Sequence, residues 1–424
     1  MARFATAERF GVGVTEQAFS KPPAGGGQAV SRIVLGMETT QTTPTPDTAT
    51  RSRHDDIPDL GPATSQFDAN TVPDEARVGA FAERLVADAA STSTTLMTII
   101  GDRLGLYETL SGAGPLGAEE FAQVSGFNAR LVTEWLAAQT VAGYVMYDPD
   151  ELTYELPVEH AAVLSDPASP AYIVAATAIV GGLFQTLDDL ERAFRGDGGI
   201  EIYDAMDEYA RFGVERFFRT SYTHELASVW FCAVRGLTER MERGVRVADV
   251  GSGHGASTIA MATAWPRSTV VGFDAHPPSV TVARSRAIEV GNPSNLAFHV
   301  ADAAYIGPGP FDVVTFFDSL HDMGDPVAAL RQARSVLSDD GIVVVVEPWS
   351  VDHLEDAIGD PRTRLAFGIS TAMCTPGSLA QPGAYGLGTQ GGPTRRLELM
   401  AQAGFREPAV VADTGFNLVF AARR

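Results

Sequence analysis

The stretch 245–266, VRVADVGSGHGASTIAMATAWP, contains the turn on which the prediction of the fold depends. An apolar run ends in Asp249, three glycines follow at alternate positions, and a helical pattern begins near Ala256. Glycine permits a sharp bend and lets the backbone approach a ligand without a Cβ clash. The free N–H groups at the start of the helix suit an anionic or polar group. The stretch therefore predicts a strand, a ligand-binding loop and a helix.

Two kinds of nucleotide cofactor are compatible with this loop. Gly251-x-Gly253-x-x-Ala256 fits the nicotinamide-dinucleotide fingerprint, and Asp274, at the end of the next apolar run, would bind ribose hydroxyls with either cofactor. Asp302, just past the third run, is placed to accept a hydrogen bond from an exocyclic amine such as that of adenine. The loop leaves both cofactor classes open, and Asp302 argues against the nicotinamide.

The rest of the C-terminal half alternates strands and helices. FDVVTFFDSL from 311 and GIVVVVEPW from 341 predict a fourth and a fifth strand. Between them, Asp325 and Pro326 are typical of a helix start, and the last 18 residues indicate a hairpin of two strands. This order predicts an α/β fold with a doubly wound, mostly parallel sheet of seven strands and an antiparallel edge.

The N-terminal half divides into three segments. Residues 1–72 are rich in Thr, Pro, Gly and Asp without a hydrophobic period, which predicts disorder, and Met37 is an alternative start of translation. In 73–165 two short helices (118–125 and 128–142) and a hairpin turning at 148–150 indicate a winged helix that pairs two chains. Residues 166–241 are helical and aromatic and would link this unit to the sheet domain of 242–424; their aromatic side chains would line a substrate pocket or pack as a helical core, and periodicity favours the core.

Charge argues against several classes of partner. The 424 residues carry a formal net charge of −22, which disfavours nucleic acid and anionic membranes. In the second helix of the winged helix, where bases would be read, Arg130 is the only basic residue. No run approaches 18 uninterrupted apolar residues, and two cysteines are too few for a disulfide framework, so we expect a cytoplasmic protein. Scattered His and Cys residues show no spacing typical of a metal site.

The segment from 247 to the C-terminus resembles class I S-adenosylmethionine-dependent methyltransferases. The resemblance rests on DVGSGHG, the acids in GFDAHP and VADAA, and FFDSLHDMGDP. With the winged helix included, the chain from about 74 onward resembles bacterial winged-helix methyltransferases and small-molecule O-methyltransferases. The resemblance implies a homodimer, S-adenosylmethionine as cofactor and a small-molecule substrate; the aromatic segment suggests a planar or apolar one.

The resemblance also implies which residues bind the cofactor. Asp249, Gly251 and Gly253 would hold its methionine end, Asp274 its ribose and Asp302 its adenine. The remaining cofactor-contacting positions implied are neighbours of these motifs: Ser252, Ala275, Ala303, Phe317 and Asp318. His254 replaces the small residue that is usual after the second glycine, and we interpret it as a tolerated loop variant.

His321 follows the fourth strand at the position where O-methyltransferases place a general base. Glu347, after the fifth strand, takes the place of the family's acid, and either it or Asp322 would fix the tautomer of the imidazole. Met323 replaces the family's usual aromatic residue, so a role for His321 in shaping the cofactor pocket stays open beside the base role. Residues 370–393, rich in Gly and Pro, are predicted to form a long loop that acts as a lid.

Two other functions remain as alternatives. A nicotinamide-dependent oxidoreductase would use the same glycine loop, but Asp302 and the terminal hairpin argue against it. A metabolite-sensing transcriptional regulator would bind DNA through the winged helix, but the acidic character of that unit argues against it.

Overall fold

The structure is a computed structural model, and it describes residues 72–424. The disorder predicted for 1–72 and the alternative start at Met37 therefore lie outside the described residues, apart from Val72 itself. Within the described part of the chain, no helix has the length and apolar character needed to cross a membrane.

The first unit is a winged helix, as predicted. A small antiparallel sheet in the order β1-β3-β2 packs beside helices whose shared core includes Tyr107, Phe121 and Trp135. The elements are α1 (Glu75–Arg103), α2 (Leu106–Leu110), β1 (Leu116–Gly117), α3 (Ala118–Ser125), α4 (Ala129–Val141), β2 (Met146–Asp148), β3 (Thr153–Glu155) and α5 (Val158–Leu164).

Local sequence explains the turn between α3 and α4. Gly126 has φ of 74° and ends α3, a left-handed conformation that glycine adopts without strain. Asn128 then caps α4, because its side chain accepts hydrogen bonds from the backbone N–H of Arg130 and Leu131. Both helices lie within one residue of the predicted bounds.

A layer of helices connects this unit to the large sheet. Helices α6 and α9 approach closely because both carry glycine at the contact: a Cβ on Gly182 would lie 2.5 Å from the Cβ of Ala210. The layer consists of α6 (Ala175–Gln185), α7 (Leu187–Phe194), α8 (Ile202–Ala205), α9 (Glu208–His224), a π-helical turn (Leu226–Trp230), α10 (Phe231–Ala233) and α11 (Leu237–Arg243).

The large sheet has seven strands in the order β6-β5-β4-β7-β8-β10-β9. All neighbouring pairs are parallel except those made by β10, which runs antiparallel to both β8 and β9. The strands are β4 (Arg246–Val250), β5 (Thr269–Asp274), β6 (Leu296–Val300), β7 (Phe311–Phe317), β8 (Leu337–Pro348), β9 (Arg406–Asp413) and β10 (Asn417–Arg423).

Helices cover both faces of this sheet. Strand β8 shows why: Val343 and Val345 belong to one buried cluster, and Val344 and Val346 to another, as alternating side chains on a doubly covered strand must. The helices are α12 (Ala256–Ala264), α13 (Pro277–Glu289), α14 (Pro326–Val336), α15 (Leu354–Ala357), α16 (Pro361–Ile369), α17 (Thr375–Ala380) and α18 (Pro393–Gln402). The predicted doubly wound fold is confirmed.

The strand order also places the site. The strand order reverses at β4: the chain adds β5 and β6 on one side of β4 and then β7 and β8 on the other. In open α/β sheets ligands bind outside the carboxyl ends of the strands at such a switch point. We call this region, above the ends of β4, β5 and β7, the crevice.

The segment 370–393 differs from its prediction. Its first half is helical: a π-helical turn spans Ser370–Cys374 and α17 follows directly. Pro376 lies in the first turn of α17, directly after the π-helical turn, where the regular α-helical hydrogen-bond pattern is already interrupted. Only 381–392 is irregular, so the long loop predicted from Gly and Pro content was wrong for the first half of the segment.

Candidate active site

The glycine loop at the end of β4 is shaped by positions that require glycine. Gly251 has φ of 77°, and a Cβ there would lie 2.5 Å from the Cβ of Ser319. Its N–H and that of Ser252 donate to the carbonyl of Phe273 at 2.8 and 3.0 Å, which fixes the loop on β5. The loop leads into α12 at Ala256, as predicted.

Asp249 lies beneath this loop. Its carboxylate is buried and accepts hydrogen bonds from the hydroxyls of Ser257 and Thr258, each at 2.7 Å, and of Thr315 at 2.9 Å. Burial raises its pKa, and the three hydroxyl donors oppose that rise. The carboxylate therefore stabilises the start of α12, and its predicted contact with the methionine end of the cofactor stays a prediction.

Asp274 lies against the glycine loop at the end of β5. Its two carboxylate oxygens accept hydrogen bonds from the N–H of Gly253 at 2.8 Å and from that of His276 at 2.9 Å. Ala275 beside it is exposed. The structure thus joins two of the predicted cofactor positions, 253 and 274, by a direct hydrogen bond.

Asp302 lies just past the end of β6, the second strand on this side of β4. Its side chain is exposed, and one oxygen accepts a hydrogen bond from the N–H of Ala304 at 2.7 Å. Ala303 is half-buried against the core. The acids after β4, β5 and β6 therefore follow one another along the same edge of the sheet.

Asp318, at the end of β7, has an unusual backbone. Its φ is 49°, which is uncommon for a residue with a side chain and is found at functional sites. Its carboxylate accepts from the side-chain amide of Asn417 at 2.9 Å and from the Tyr222 hydroxyl at 3.3 Å. Burial, and then the charge of Glu347, raise the pKa of Asp318 well above its usual range.

Phe317 faces the core. Its ring is 4% exposed and packs against Tyr222, Trp230 and Phe231. Its predicted contact with the cofactor stays a prediction. Of the aromatic residues that the sequence suggested as pocket lining, Trp230 is fully buried and contributes to this core.

His321 forms a buried chain of charged groups with Glu347 and Arg396. Nδ1 of His321 lies 2.7 Å from a carboxylate oxygen of Glu347, and the same oxygen accepts two hydrogen bonds at 3.3 Å from the Arg396 guanidinium. His321 is 2% exposed, and the other two are fully buried. The predicted pair of His321 and Glu347 is therefore assembled in the structure.

The charges of these buried groups shift the pKa values of both His321 and Glu347. Burial alone would lower the pKa of His321, but the negative charges of Glu347 and Asp322 outweigh it and raise the pKa well above the ordinary value. Burial alone would raise the pKa of Glu347, but His321 and Arg396 outweigh it and lower the pKa. The imidazole is therefore held in its protonated form while Asp322 stays beside it.

Asp322 and Cys374 lie on the other side of the ring. One Asp322 oxygen is 3.2 Å from Nε2 of His321, and the Cys374 sulfur is close to both groups. Burial, and then the charge of Asp322, raise the pKa of the Cys374 thiol to about 12, so the sulfur is protonated at neutral pH. Met373 and Cys374 pack against residues of α6, α8 and α9.

Two tyrosines from the helical layer cover the crevice. Tyr222 donates to Asp318 as described, and the ring of Tyr203 lies beside that of His276, with 6.1 Å between ring centroids. Burial first, and then the charges of Asp322 and Asp274, raise the pKa of Tyr203 well above its ordinary value.

His254 in the glycine loop is neutral. Burial and the positive charge of Arg286 lower its pKa to about 4. Its ring packs against Phe212 of α9, with 5.1 Å between ring centroids. The larger side chain at this loop position is thus accommodated by contact with the helical layer.

Two segments of the chain match known protein families. Residues 241–384 match the family described as "Methyltransferase domain", and residues 92–166 match the "Rv2258c-like winged HTH domain". This chain carries a methyltransferase domain. A winged helix–turn–helix domain precedes it.

Curated relatives resemble part of the methyltransferase domain. A ubiquinone biosynthesis O-methyltransferase from Xanthomonas euvesicatoria is 36% identical over 99 residues, 23% of this chain and 41% of the relative. A ubiquinone/menaquinone biosynthesis C-methyltransferase from Shewanella frigidimarina is 29% identical over 155 residues, 36% of this chain and 56% of the relative. The chain thus spans about half the length of these relatives.

Solved structures cover more of the chain. Human N-acetylserotonin methyltransferase in complex with SAM superposes with a TM-score of 0.63 at 18% identity, covering 81% of this chain and 97% of that one. At this identity the likeness establishes the shared fold, including the winged helix before the methyltransferase domain.

Two residues of the site were missed from sequence. Arg396 stands in α18, far along the chain from Glu347, and an arginine in a helix gives no signal of burial. Tyr203 belongs to the aromatic segment 166–241, but its position near Asp274 and Asp322 depends on how α8 packs on the sheet.

Proposed function

We propose that the protein is an S-adenosylmethionine-dependent methyltransferase that methylates a hydroxyl group of a small molecule. The observation that carries the proposal is the buried His321–Glu347 pair, which lies at the same edge of the sheet as Asp274, the acid that is hydrogen-bonded to the glycine loop. The His321–Glu347 pair suits proton removal from an acceptor, and Asp274 suits the ribose of a nucleoside.

The glycine loop fits the cofactor. The hydroxyl oxygen of Ser252 and Nδ1 of His254 are buried without a hydrogen-bond partner among the described residues. Buried polar atoms are normally satisfied, so both indicate a polar ligand at this loop. Asp274 would accept from the ribose hydroxyls, Asp302 from the adenine amine, and Gly251 and Gly253 would border the methionine end. When bound, S-adenosylmethionine supplies a sulfonium methyl group.

His321 would remove the proton of the acceptor hydroxyl. In the closed arrangement Asp322 lies 3.2 Å from Nε2 and helps to keep the imidazole protonated. An acceptor that enters between them separates Asp322 from the ring and thereby lowers the pKa of His321. Nε2 then accepts the hydroxyl proton, while Glu347 holds Nδ1 and stabilises the imidazolium that forms.

The acceptor would be planar or apolar. Met373 and Cys374 belong to a buried apolar cluster with Ile202 and Met206, so the packing beside this end of the crevice is largely hydrocarbon. Acceptor carbon is the alternative, since a C-methyltransferase is among the relatives. His321 favours oxygen.

Methyl transfer to a panel of acceptors tests this function. The protein would be incubated with methyl-labelled S-adenosylmethionine and separate phenols, anilines and carbon-acidic quinol precursors. We expect labelled methyl ethers from one or more phenols. Label only on carbon or nitrogen products would contradict the O-methylation proposal.

A second copy of the chain is the proposed macromolecular partner. Helix α1 is 29 residues long, and its buried residues all lie near its C-terminal end. Before them Val78, Phe81 and Leu85 are 55%, 67% and 61% exposed at helical spacing. Two such apolar faces can cover each other, as in a symmetric dimer.

The alternative of a DNA-binding regulator receives no support from the winged helix. Arg130, the basic residue of α4, forms an ion pair with Glu134 one turn along the same helix. A phosphate contact would have to break that pair. We further propose a cytoplasmic location, because Cys232 and Cys374 are both free thiols.

A further inference from the structure

The cluster of His321, Asp322 and Cys374 brings together three kinds of metal ligand. The imidazole nitrogen, one carboxylate oxygen and the sulfur all lie within 4.8 Å of one another. In a tetrahedral zinc site, metal–ligand bonds of 2.0–2.3 Å place ligand atoms about 3.3–3.7 Å apart. The 3.2 Å between Nε2 and the Asp322 oxygen already matches such an edge, and the sulfur needs to move by about 1 Å at most.

The Asp322 oxygen that faces His321 is poorly satisfied. It is buried, its polar neighbours are Nε2 of His321 at 3.2 Å and the Cys374 thiol, and no well-aligned hydrogen bond from a described residue reaches it. A buried carboxylate oxygen without a donor is costly. A cation between this oxygen and Nε2 would satisfy both atoms at once.

The rest of the arrangement is the one that histidine ligands of zinc usually have. Nδ1 of His321 is bound to Glu347, and Glu347 is held in turn by Arg396. Once the imidazolium has lost its Nε2 proton, Nδ1–H still donates to Glu347 and the lone pair lies on Nε2, which is the nitrogen that faces Asp322 and Cys374. Such carboxylate–histidine pairs fix the tautomer and raise the basicity of the ligand.

Ligand type selects the metal. Nitrogen, oxygen and sulfur donors in one set suit Zn²⁺, whereas Mg²⁺ and Ca²⁺ prefer oxygen alone. Binding forms bonds from the Cys374 sulfur and from Nε2 of His321 to the metal, and it releases the thiol proton and the Nε2 proton of the imidazolium to solvent.

We propose that His321, Asp322 and Cys374 form a zinc-binding site that switches the enzyme off. Zinc on Nε2 occupies the lone pair that proton removal requires, so the bound form cannot use His321 as a base. The regulatory part rests on the proposed function, whereas zinc binding itself does not.

Metal retention tests the site. Wild type, Cys374→Ala and Asp322→Asn would be loaded with Zn²⁺, dialysed against metal-free buffer and assayed for zinc. Cys232→Ala is the matched control, because Cys232 is exposed and distant in sequence. We expect one zinc per chain in wild type and in the control, and a loss of most of it in both cluster variants. With Co²⁺ instead, a thiolate-to-metal absorption band should appear only where Cys374 is present.

Binding of S-adenosylhomocysteine to the same samples shows whether each variant is folded and tests the cofactor site separately. A wild type that binds S-adenosylhomocysteine but retains no zinc would overturn the zinc site and leave the proposed function intact. Equal zinc in wild type and in either folded cluster variant would overturn it as well. Zinc retention without S-adenosylhomocysteine binding would support the zinc site and count against the methyltransferase proposal.

Discussion

The proposed mechanism depends most on His321. Its two nitrogens have different neighbours: Glu347, neutralised by Arg396, holds Nδ1, while Asp322 and Cys374 border Nε2. The first contact is built into the core and persists. The second can be broken by a ligand, so the protonation state of the imidazole depends on what occupies that side.

Replacing His321 should separate chemistry from cofactor binding. We expect His321→Ala to lower turnover by about 100-fold or more, because general-base catalysis contributes on that scale. The affinity for S-adenosylhomocysteine should be retained. His353→Ala is the control, since His353 is exposed. Turnover of the His321 variant equal to that of the control would rule out the base role and favour a pocket-lining role.

Replacing Arg396 should lower the free energy of unfolding far more than replacing its neighbour Arg395. Arg396→Met leaves Glu347 buried without its guanidinium partner, and losing one member of a buried ion pair costs about 3–5 kcal/mol. Arg395→Met removes a pair with Glu398 on the surface, which contributes less than about 1 kcal/mol. Urea unfolding of the two variants measures both, and equal free energies of unfolding would contradict the account.

At this scale, candidate residues could be predicted from sequence where they follow strand ends. Asp274 and His321 were both predicted in this way, because their strands were recognised and such positions face the ligand crevice of an open α/β sheet. Arg396 could not be found, because its contact with Glu347 joins two elements 49 positions apart. The burial of Phe317 was also hidden, since a residue at a strand end can face either the core or the ligand.

Among the structural elements, the glycine loop has the strictest geometry. It must pass close to Ser319 while the N–H groups of Gly251 and Ser252 both donate to the carbonyl of Phe273. Close neighbours explain two of the glycines in this loop: a Cβ would meet Ser319 at position 251 and Phe298 at position 255.

Gly251→Ala should disturb this loop more than strain alone would. A Cβ at 251 meets Ser319 at 2.5 Å, whereas Gly112 has a similar φ of 70° with nothing within 4 Å. The left-handed backbone costs about 1–2 kcal/mol at either position, so Gly112→Ala reports strain without a clash. We expect Gly251→Ala to unfold at lower temperature than Gly112→Ala and to bind S-adenosylhomocysteine more weakly. Equal melting temperatures would show that the loop is not as tight as described.

Elements with strong local signals were predicted closely. The capped helices of the winged helix and the apolar strands of the sheet follow from caps, turns and alternation. The segment 370–380 was misjudged because Gly and Pro content indicates loops on average. Here Pro376 occupies a first turn, and packing of Met373 and Cys374 stabilises the helix.

At the scale of the whole molecule, α1 offers the surface for a second copy. We expect wild type to sediment as a dimer and Phe81→Asp to sediment as a monomer, because a charge replaces an apolar side chain at the centre of the exposed face. Glu83→Asp, on the same helix, is the control that leaves the charge unchanged. A monomeric wild type at micromolar concentration would contradict the dimer.

The whole-molecule reading depends most on the identity of the cofactor. Calorimetric titration with S-adenosylhomocysteine would compare wild type with Asp274→Asn and with Asp339→Ala. The carboxylate of Asp339 is fully exposed near the start of β8. We expect saturable binding to wild type and to the Asp339 variant, at least about tenfold weaker binding to the Asp274 variant, and no binding of NAD. Tight binding of NAD, or S-adenosylhomocysteine affinity that does not depend on Asp274, would contradict the assignment of this crevice as the site of a methyl donor.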